Sequence, residues 1–571
     1  MSDARLFDCG EGVRLERGVR ARMRDGVELV SDHYYPPQSG PQPTLLMRQP
    51  YGRDIASTVV YAHPVWFARH GYNVVIQDVR GRGDSAGDFY PFRKEGADGT
   101  ETIAWLRARP ESNGRVGMYG FSYQGATQLL AAAEQPEGLQ CISPGMTATD
   151  LYHGWFYQGG ALRLASTLGW GLQLLKEDAR RKKLREASDR LEQAWAQLAT
   201  QTSVLPIRAH PALHGEGLPS YVLDWLDHDA PGEYWASLDV SRRLARICVP
   251  ALHISGWYDM FLRGSIDGFL ALSKCAGSEF ARDHQYLIAG PWVHIPWGDR
   301  IGAADFGKEA LLDTDAILLR WFDHWLKDSG AFAQEPRVRH FVLGENRWRE
   351  TETFPAEAEH VLYLHSDGRA NSRKGDGTLS RTAPAAEEPC DIFVHDPEVP
   401  VGSPGGPTAA SGAFDQATLE LGNNLLVFST APLEKPLWIF GIPRVALYCA
   451  TSAATADFTA KLVRVKPTGV AEFICIGIAR SNRQFAETSY APDKIHRWDF
   501  PLEPTSCRFE AGDCIRLEIA SGVFPLFDRN PGGDVPSCRA TSWDWLRSTQ
   551  FLFHGKLCPS ALYLPAKEQP E

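Results

Sequence analysis

Residues 112–133 constrain the fold more than any other stretch. An apolar run at 116–119 reads as a strand, the sequence Gly120-Phe121-Ser122-Tyr123-Gln124-Gly125 follows it, and QGATQLLAAA at 124–133 reads as a strong helix. A chain that passes from strand to helix over so few residues must turn sharply, and Ser122 sits on that turn. The turn lifts the hydroxyl clear of the sheet, and the helix start offers unpaired N–H groups and a favourable dipole. Gly120 and Gly125 give the backbone room for such a turn. A second serine, in Gly83-Asp84-Ser85-Ala86-Gly87, fits the literal pattern G-x-S-x-G better. It is followed by Asp88-Phe89-Tyr90-Pro91, and Pro91 argues against a helix there. GRGDSAGDF is therefore expected to be a loop shaped by its glycines, and Ser122 is the candidate nucleophile.

The first third of the chain repeats the strand–helix alternation. β-rich runs at 27–35, 44–47, 72–79 and 116–119 enclose a helical segment at 98–106. This order implies a mostly parallel sheet with helices on both faces. Residues 146–235 break the pattern. They read as helical, with Trp155, Trp170, Leu172 and Leu175 followed by a charged run at 176–190 that is expected to be a solvated helix face. Strands return at 251–255 and 285–289, and ILLRWFDHW at 317–325 is an amphipathic helix. Residues 350–359 read as a linker. Beyond them helical periodicity gives way to alternation, as in Phe458, Ala460 and Leu462 with Thr459 and Lys461 between them. The expected division is residues 1–145 and 236–349 as one α/β unit, 146–235 as a helical insertion, and 350–571 as an all-β jelly roll or sandwich. A chain of 571 residues accommodates about three domains of ordinary size.

A serine hydroxyl needs a general base to become a nucleophile. In α/β-hydrolases its partners follow in chain order, acid and then histidine, on loops at the ends of later strands. The strand at 251–255 is followed by Gly256-Trp257-Tyr258-Asp259, and the strand at 285–289 by Gly290-Pro291-Trp292-Val293-His294. Asp259 and His294 are thus placed as acid and base. His284 lies at the wrong end of its strand and His253 inside one. An oxyanion needs two donors. The N–H of Tyr123 is one, and the loop at 48–53, with the Tyr51 hydroxyl, is a candidate source of the other.

At this point the chain resembles a known family, the one that joins bacterial cocaine esterase, X-prolyl dipeptidyl aminopeptidases and α-amino-acid ester hydrolases. RQPYGRD at 48–54, IQDVRGRGDSAGDF at 76–89, GFSYQG at 120–125, SGWYDMF at 255–261 and GPWVH at 290–294 carry the resemblance, with DFTAKLVRV at 457–465 and FPLFDRNPGG at 524–533. It implies an α/β-hydrolase core with an inserted helical cap and a C-terminal all-β jelly-roll domain. It implies Ser122, Asp259 and His294 as the triad, with Tyr51 and the Tyr123 N–H as oxyanion donors. Residues 147–162 and 168–172 resemble the cap helices of the cocaine esterase branch, and Trp155, Trp170 and Phe261 match its aromatic acyl pocket. Residues 405–410 lack the bulky apolar pair expected of the jelly-roll side of that pocket. In the amino-acid ester hydrolases, carboxylates that closely follow the catalytic Asp bind the substrate ammonium. Here Met260, Phe261 and Leu262 stand at those positions.

The expected activity is hydrolysis of carboxylic esters with apolar or aromatic acyl groups, through an acyl-enzyme. The alternatives are an X-Pro dipeptidyl-peptidase, with Glu177 or Asp178 as the acidic anchor, an amidase or acyltransferase, and a non-catalytic binding protein. No cofactor or metal signature is present. A net charge of −11 argues against nucleic acid or an anionic membrane as partner. The expected partner is a small ester or amide substrate, and the jelly roll could offer a homodimer surface. Eleven dispersed cysteines and an N-terminus without an apolar leader point to the cytoplasm.

Overall fold

The computed structural model describes residues 5–54, 58–355, 360–407, 411–487 and 490–567. Eleven strands form one sheet, β1 (Arg5–Asp8), β2 (Arg14–Arg22), β3 (Glu28–Tyr35), β4 (Gln42–Gln49), β5 (Asn73–Asp78), β6 (Ser112–Phe121), β7 (Leu139–Gly145), β8 (Ala251–Gly256), β9 (Gln285–Gly290), β10 (Val338–Val342) and β11 (Arg347–Thr351). Their spatial order is β1-β2-β3-β5-β4-β6-β7-β8-β9-β10-β11. The strands from β5 to β10 pair in parallel, and β1–β3 and β11 are antiparallel flanks.

Parallel strands buried on both faces are apolar throughout, and here successive side chains supply two separate cores. Leu46, Val75 and Met118 join one apolar cluster with Ile103, Leu106 and Leu129. Leu45, Met47, Val74, Ile76 and Tyr119 join another with Phe67, Leu318 and Trp321. Helices α1 (Pro64–Arg69) and α7 (Thr314–Lys327) cover the second face, and α2 (Glu95–Arg107) and α3 (Tyr123–Ala133) the first. Every residue of α3 is buried.

Between β7 and β8 the chain is largely helical: α4 (Leu164–Arg181), α5 (Arg185–Ala196) and short helices at Tyr221–Asp227, Glu233–Leu238 and Leu244–Arg246. The helical stretch therefore runs past residue 235, which falls within a helix. Residue 350 falls within β11, and of the 350–359 segment residues 356–359 lie outside the described residues. α6 (Leu262–Cys275) follows β8 and turns Leu262, Ile266 and Phe269 into an apolar cluster that joins residues of β9 and β10 to those of the C-terminal part.

From His360 onward the described chain is nearly all β, with an eleven-stranded sheet and a three-stranded one. Asp457–Val465 pairs antiparallel with Ala471–Arg480 and Cys514–Ala520. The alternation at 458–462 does not leave a polar face in water: Thr459 and Lys461 are also buried, because ionic partners cover that face, and the Lys461 ammonium lies 2.9 Å from Glu518. Among the described residues no helix is long and apolar enough to cross a membrane.

Candidate active site

The parallel strands bring their C-terminal ends to one edge. Phe121, at the end of β6, pairs with Gly145, and Gly256 of β8 with Gly290 of β9. Side chains that follow these ends are the ones an open α/β sheet uses for binding and chemistry.

Ser122 follows β6 directly. Its φ of 61° and ψ of −127° lie in territory that side-chain-bearing residues avoid. Its N–H donates to Gly145 O at 2.8 Å, and its carbonyl accepts from Gly125 and Ala126. Two glycines permit this turn. Gly120 has φ 133°, and a Cβ there would lie 2.5 Å from the Gln124 Cβ. A Cβ on Gly125 would lie 2.8 Å from the Thr147 side chain, so α3 approaches the chain after β7 at glycine distance. Tyr123 is the first residue of α3, where a backbone N–H has no carbonyl of its own helix to meet. Its side chain points away into the core, donates to Glu95 Oε1 at 2.8 Å and stacks on Phe92.

Asp259 is fully buried. Its Oδ1 accepts from His294 Nδ1 at 2.8 Å, which leaves Nε2 as the free ring nitrogen. The His294 ring lies 5.3 Å from Phe121, the neighbour of Ser122, and packs edge-on at 5.1 Å against Phe261. Phe261 stacks on Trp155 at 3.9 Å, Trp155 meets Trp170 at 5.4 Å, and the Trp170 indole N–H donates to Tyr51 Oη at 3.1 Å. Tyr51 in turn hydrogen-bonds Ser122. Contacts thus run from Ser122 through Tyr51, Trp170, Trp155, Phe261 and His294 to Asp259. Burial pushes the Tyr51 phenol up to about 12, against the pull of Trp170 and Ser122, so it keeps its proton in neutral solution.

Ser85 is buried elsewhere. It donates to Asp78 O at 2.7 Å and accepts from Val30 N–H at 2.8 Å, which fixes the loop after β5 against β3. Asp178 is held by Arg82 at 3.0 Å and Tyr221 at 2.7 Å, and Glu177 by Arg180 at 2.7 Å. Of the segment 405–410, residues 408–410 lie outside the described residues. Several aromatic neighbours were not singled out from sequence. Phe92, at φ 68°, packs edge-on to Trp155, and Trp225 lies parallel to Trp170 at 5.3 Å. Their only sequence signal is aromatic density.

Residues 25–296 match the family model described as X-Pro dipeptidyl-peptidase (S15 family), and residues 330–563 match the one described as X-Pro dipeptidyl-peptidase C-terminal non-catalytic domain. The chain is 34 % identical to cocaine esterase of Rhodococcus sp. (strain MB1 Bresler), over 96 % of this chain and 97 % of that protein. An α-amino acid ester hydrolase structure superposes with a TM-score of 0.79 at 26 % identity, covering 98 % of both chains. An aminopeptidase from a marine sediment Thaumarchaeota archaeon shares the fold, with a TM-score of 0.80 at 24 % identity over 96 % of each chain. End-to-end identity at this level, with a separate all-β C-terminal part shared as well, places the chain among the serine ester hydrolases of the cocaine esterase and X-Pro dipeptidyl-peptidase family.

Proposed function

We propose that the chain hydrolyses carboxylic esters with apolar or aromatic acyl groups through a Ser122–His294–Asp259 triad. The observation that carries this reading is the placement of Ser122 on a strained strand-to-helix turn, hydrogen-bonded to Tyr51, with the Asp259–His294 pair past the ends of β8 and β9. Ser122 Oγ attacks the ester carbonyl while His294 Nε2 takes its proton. Asp259 fixes the tautomer and stabilises the imidazolium. The tetrahedral oxyanion accepts from the Tyr51 hydroxyl and the Tyr123 N–H. Because the Trp170 N–H already occupies a lone pair of the Tyr51 oxygen, the phenolic hydrogen is left to turn toward the reacting carbonyl. Collapse expels the alcohol, which takes the proton from His294. Water then attacks the acyl-enzyme with His294 again as base.

Trp155, Trp170 and Phe261 form the acyl pocket in this reading. The helices after β7 act as its cap, and the all-β part is a jelly roll that closes the site from the other side. The dipeptidyl-peptidase reading draws on the matched family descriptions and needs a carboxylate for the substrate ammonium. The engagement of Asp178 and Glu177 by Arg82 and Arg180 weighs against it.

The test is a paired assay of wild type and Ser122→Ala on 4-nitrophenyl butyrate and benzoate, and on Ala-Pro 4-nitroanilide. Ester turnover that is lost in the variant, without anilide cleavage, is expected. Strong anilide cleavage would establish the peptidase, and undiminished turnover in Ser122→Ala would remove Ser122 from the mechanism.

A further inference from the structure

The loop after β5, which carries the second serine pattern at 83–87, takes no part in the steps above. It nevertheless grips both partners of the Tyr51–Trp170 hydrogen bond. On one side it holds the loop that carries Tyr51. Arg53 is buried there, donates from its backbone N–H to Asp78 Oδ1 at 2.8 Å, and donates from Nη2 to Asp84 Oδ2 at 2.8 Å. The Asp78 carboxylate also accepts from Asp84 N–H at 3.2 Å, and a Cβ on Gly83, at φ 50°, would lie 2.0 Å from Asp78 Oδ2. Only a glycine lets the chain pass so close to that carboxylate. On the other side the loop holds α4. Trp170, Leu174, Asp178 and Arg181 recur three or four residues apart and so share one face of that helix. The Arg82 guanidinium is fully buried, lies 3.8 Å over the centre of the Phe89 ring, and donates from Nη2 to Asp178 Oδ2 at 3.0 Å and to Leu174 O at 3.3 Å. Arg181 reaches back from α4 to the carbonyls of Gly83 and Ser85, the latter at 2.8 Å. The Ser85 hydroxyl ties the same loop to Asp78 O of β5 and Val30 N–H of β3.

We propose that this loop is a positioning device for the oxyanion donor. Arg53 fixes the Tyr51 side, Arg82 and Arg181 fix the Trp170 side, and the loop, itself bound to the sheet, sets the distance between them. The inference rests on the reading of Tyr51 as an oxyanion donor. The Trp170 N–H meets Tyr51 Oη at 3.1 Å, at the long end of the normal range, where a further shift of a few tenths of an ångström breaks the bond. α4 carries Trp170 about 12 Å from Asp178 along a stiff rod, so a tie at Asp178 is felt at the indole. The start of α4 is held by another part of the chain, where Leu164 and Ala165 N–H donate to the Leu526 and Pro525 carbonyls at 3.1 Å. The loop after β5 bonds both to the far end of α4 and to the Tyr51 loop, and so fixes one against the other. A buried ion pair such as Arg82–Asp178 is weak evidence for stability. Its best-attested use is to hold two elements in one register.

The test is kcat and KM on 4-nitrophenyl acetate, whose acyl group does not fill the pocket, for Arg82→Met and Arg181→Met, each made in wild type and in Tyr51→Phe. Arg82→Met leaves Asp178 buried without its cation. Arg181 is half-buried, and its loss strands no charge, so Arg181→Met is the variant that keeps the fold. In wild type each substitution is expected to lower kcat by about fivefold or more, with KM changed by less than about twofold. Tyr51→Phe has no phenolic hydrogen left to position, and there the same substitutions are expected to change kcat by less than about twofold. A merely structural contact would lower kcat by the same factor in both backgrounds. Equal factors in the two backgrounds, or an unchanged kcat in wild type, overturn the proposal. If Arg82→Met does not fold, Arg181→Met decides alone. A strongly reduced kcat in Tyr51→Phe beside equal factors leaves the oxyanion reading standing and removes only the positioning role. A wild-type kcat in Tyr51→Phe removes the oxyanion reading itself, and the positioning role with it.

Discussion

In the proposed mechanism Tyr51 and Trp170 share two tasks that the sequence assigns separately, one to the oxyanion and one to the acyl pocket. The phenol can serve an oxyanion only if it is protonated and its hydrogen is free. Burial secures the first, and the Trp170 N–H, which acts as donor to the same oxygen, secures the second. Tyr51→Phe is expected to lower kcat by about 100- to 1000-fold with little change in KM, because the interaction forms only as charge develops on the carbonyl oxygen. Trp170→Phe keeps an aromatic ring and removes only the N–H. It is expected to lower kcat by about tenfold or less, the worth of one orienting hydrogen bond. Steady-state kinetics on 4-nitrophenyl butyrate check both, and a larger loss in Trp170→Phe than in Tyr51→Phe would overturn this division. The positions of Ser122, Asp259 and His294 past the strand ends were legible in the sequence because each comes shortly after an apolar strand. The Trp170–Tyr51 contact was not, because it joins a helix of the insertion to a loop after β4, and no local pattern records such a pairing.

The elements of the sheet were legible for the same reason as those three positions. β5, β8 and β9 are largely apolar runs bounded by polar or glycine positions, and α3 is buried on all sides, with Gln124 and Gln128 hydrogen-bonded to backbone in the core. β2 was missed. A register shift between Glu16 and Val19, with Gly18 at φ 77°, breaks the two-residue period by which a strand is read. The turn that carries Trp155 was also not foreseen. Residues Tyr152–Phe156 form a single π-helical turn, a geometry recurrent at functional sites. This turn meets α6 backbone to backbone. A Cβ on Gly154 would lie 2.6 Å from the Gly264 Cα, and one on Gly264 would lie 2.5 Å from the Ala148 Cβ. Two glycines thus set the distance at which Trp155 stacks on Phe261. Gly264→Ala is expected to push the turn outward and open that stack. The loss in kcat/KM should be about tenfold for 4-nitrophenyl benzoate and smaller for the acetate, which does not fill the pocket. Equal losses on the two esters would mean that the glycine contact stabilises the fold without shaping the pocket.

At the scale of the whole molecule, the all-β part is less like an apolar sandwich than its alternating sequence implies. Its interior holds charged chains of residues drawn from distant strands, and their pairing could not be read from periodicity, which records only which residues share a face. Arg516 Nη1 lies 2.6 Å from Glu420 Oε2, the Lys461 ammonium lies 2.9 Å from Glu518, and Glu420 Oε1 and Glu518 Oε1 are buried without a hydrogen-bond partner among the described residues. Burial, with the neighbouring Glu518 charge, raises Glu420 from 4.5 to about 7, against the pull of Arg516. A carboxyl raised on folding holds its proton more tightly in the native state than in the unfolded chain. Its contribution to stability is complete below the unfolded value near 4.5 and is lost as pH rises through about 7. Glu420→Gln carries a neutral amide at every pH and has no such loss. The difference in Tm between Glu420→Gln and wild type, followed by calorimetry on the transition of the all-β part, is expected to become more favourable to the variant by a few degrees between pH 5 and pH 8. A difference that stays constant across this range would show that Glu420 is ionised throughout, with Arg516 outweighing both burial and Glu518. The Glu420 effect belongs to unfolding and leaves the acid limb of kcat/KM in place.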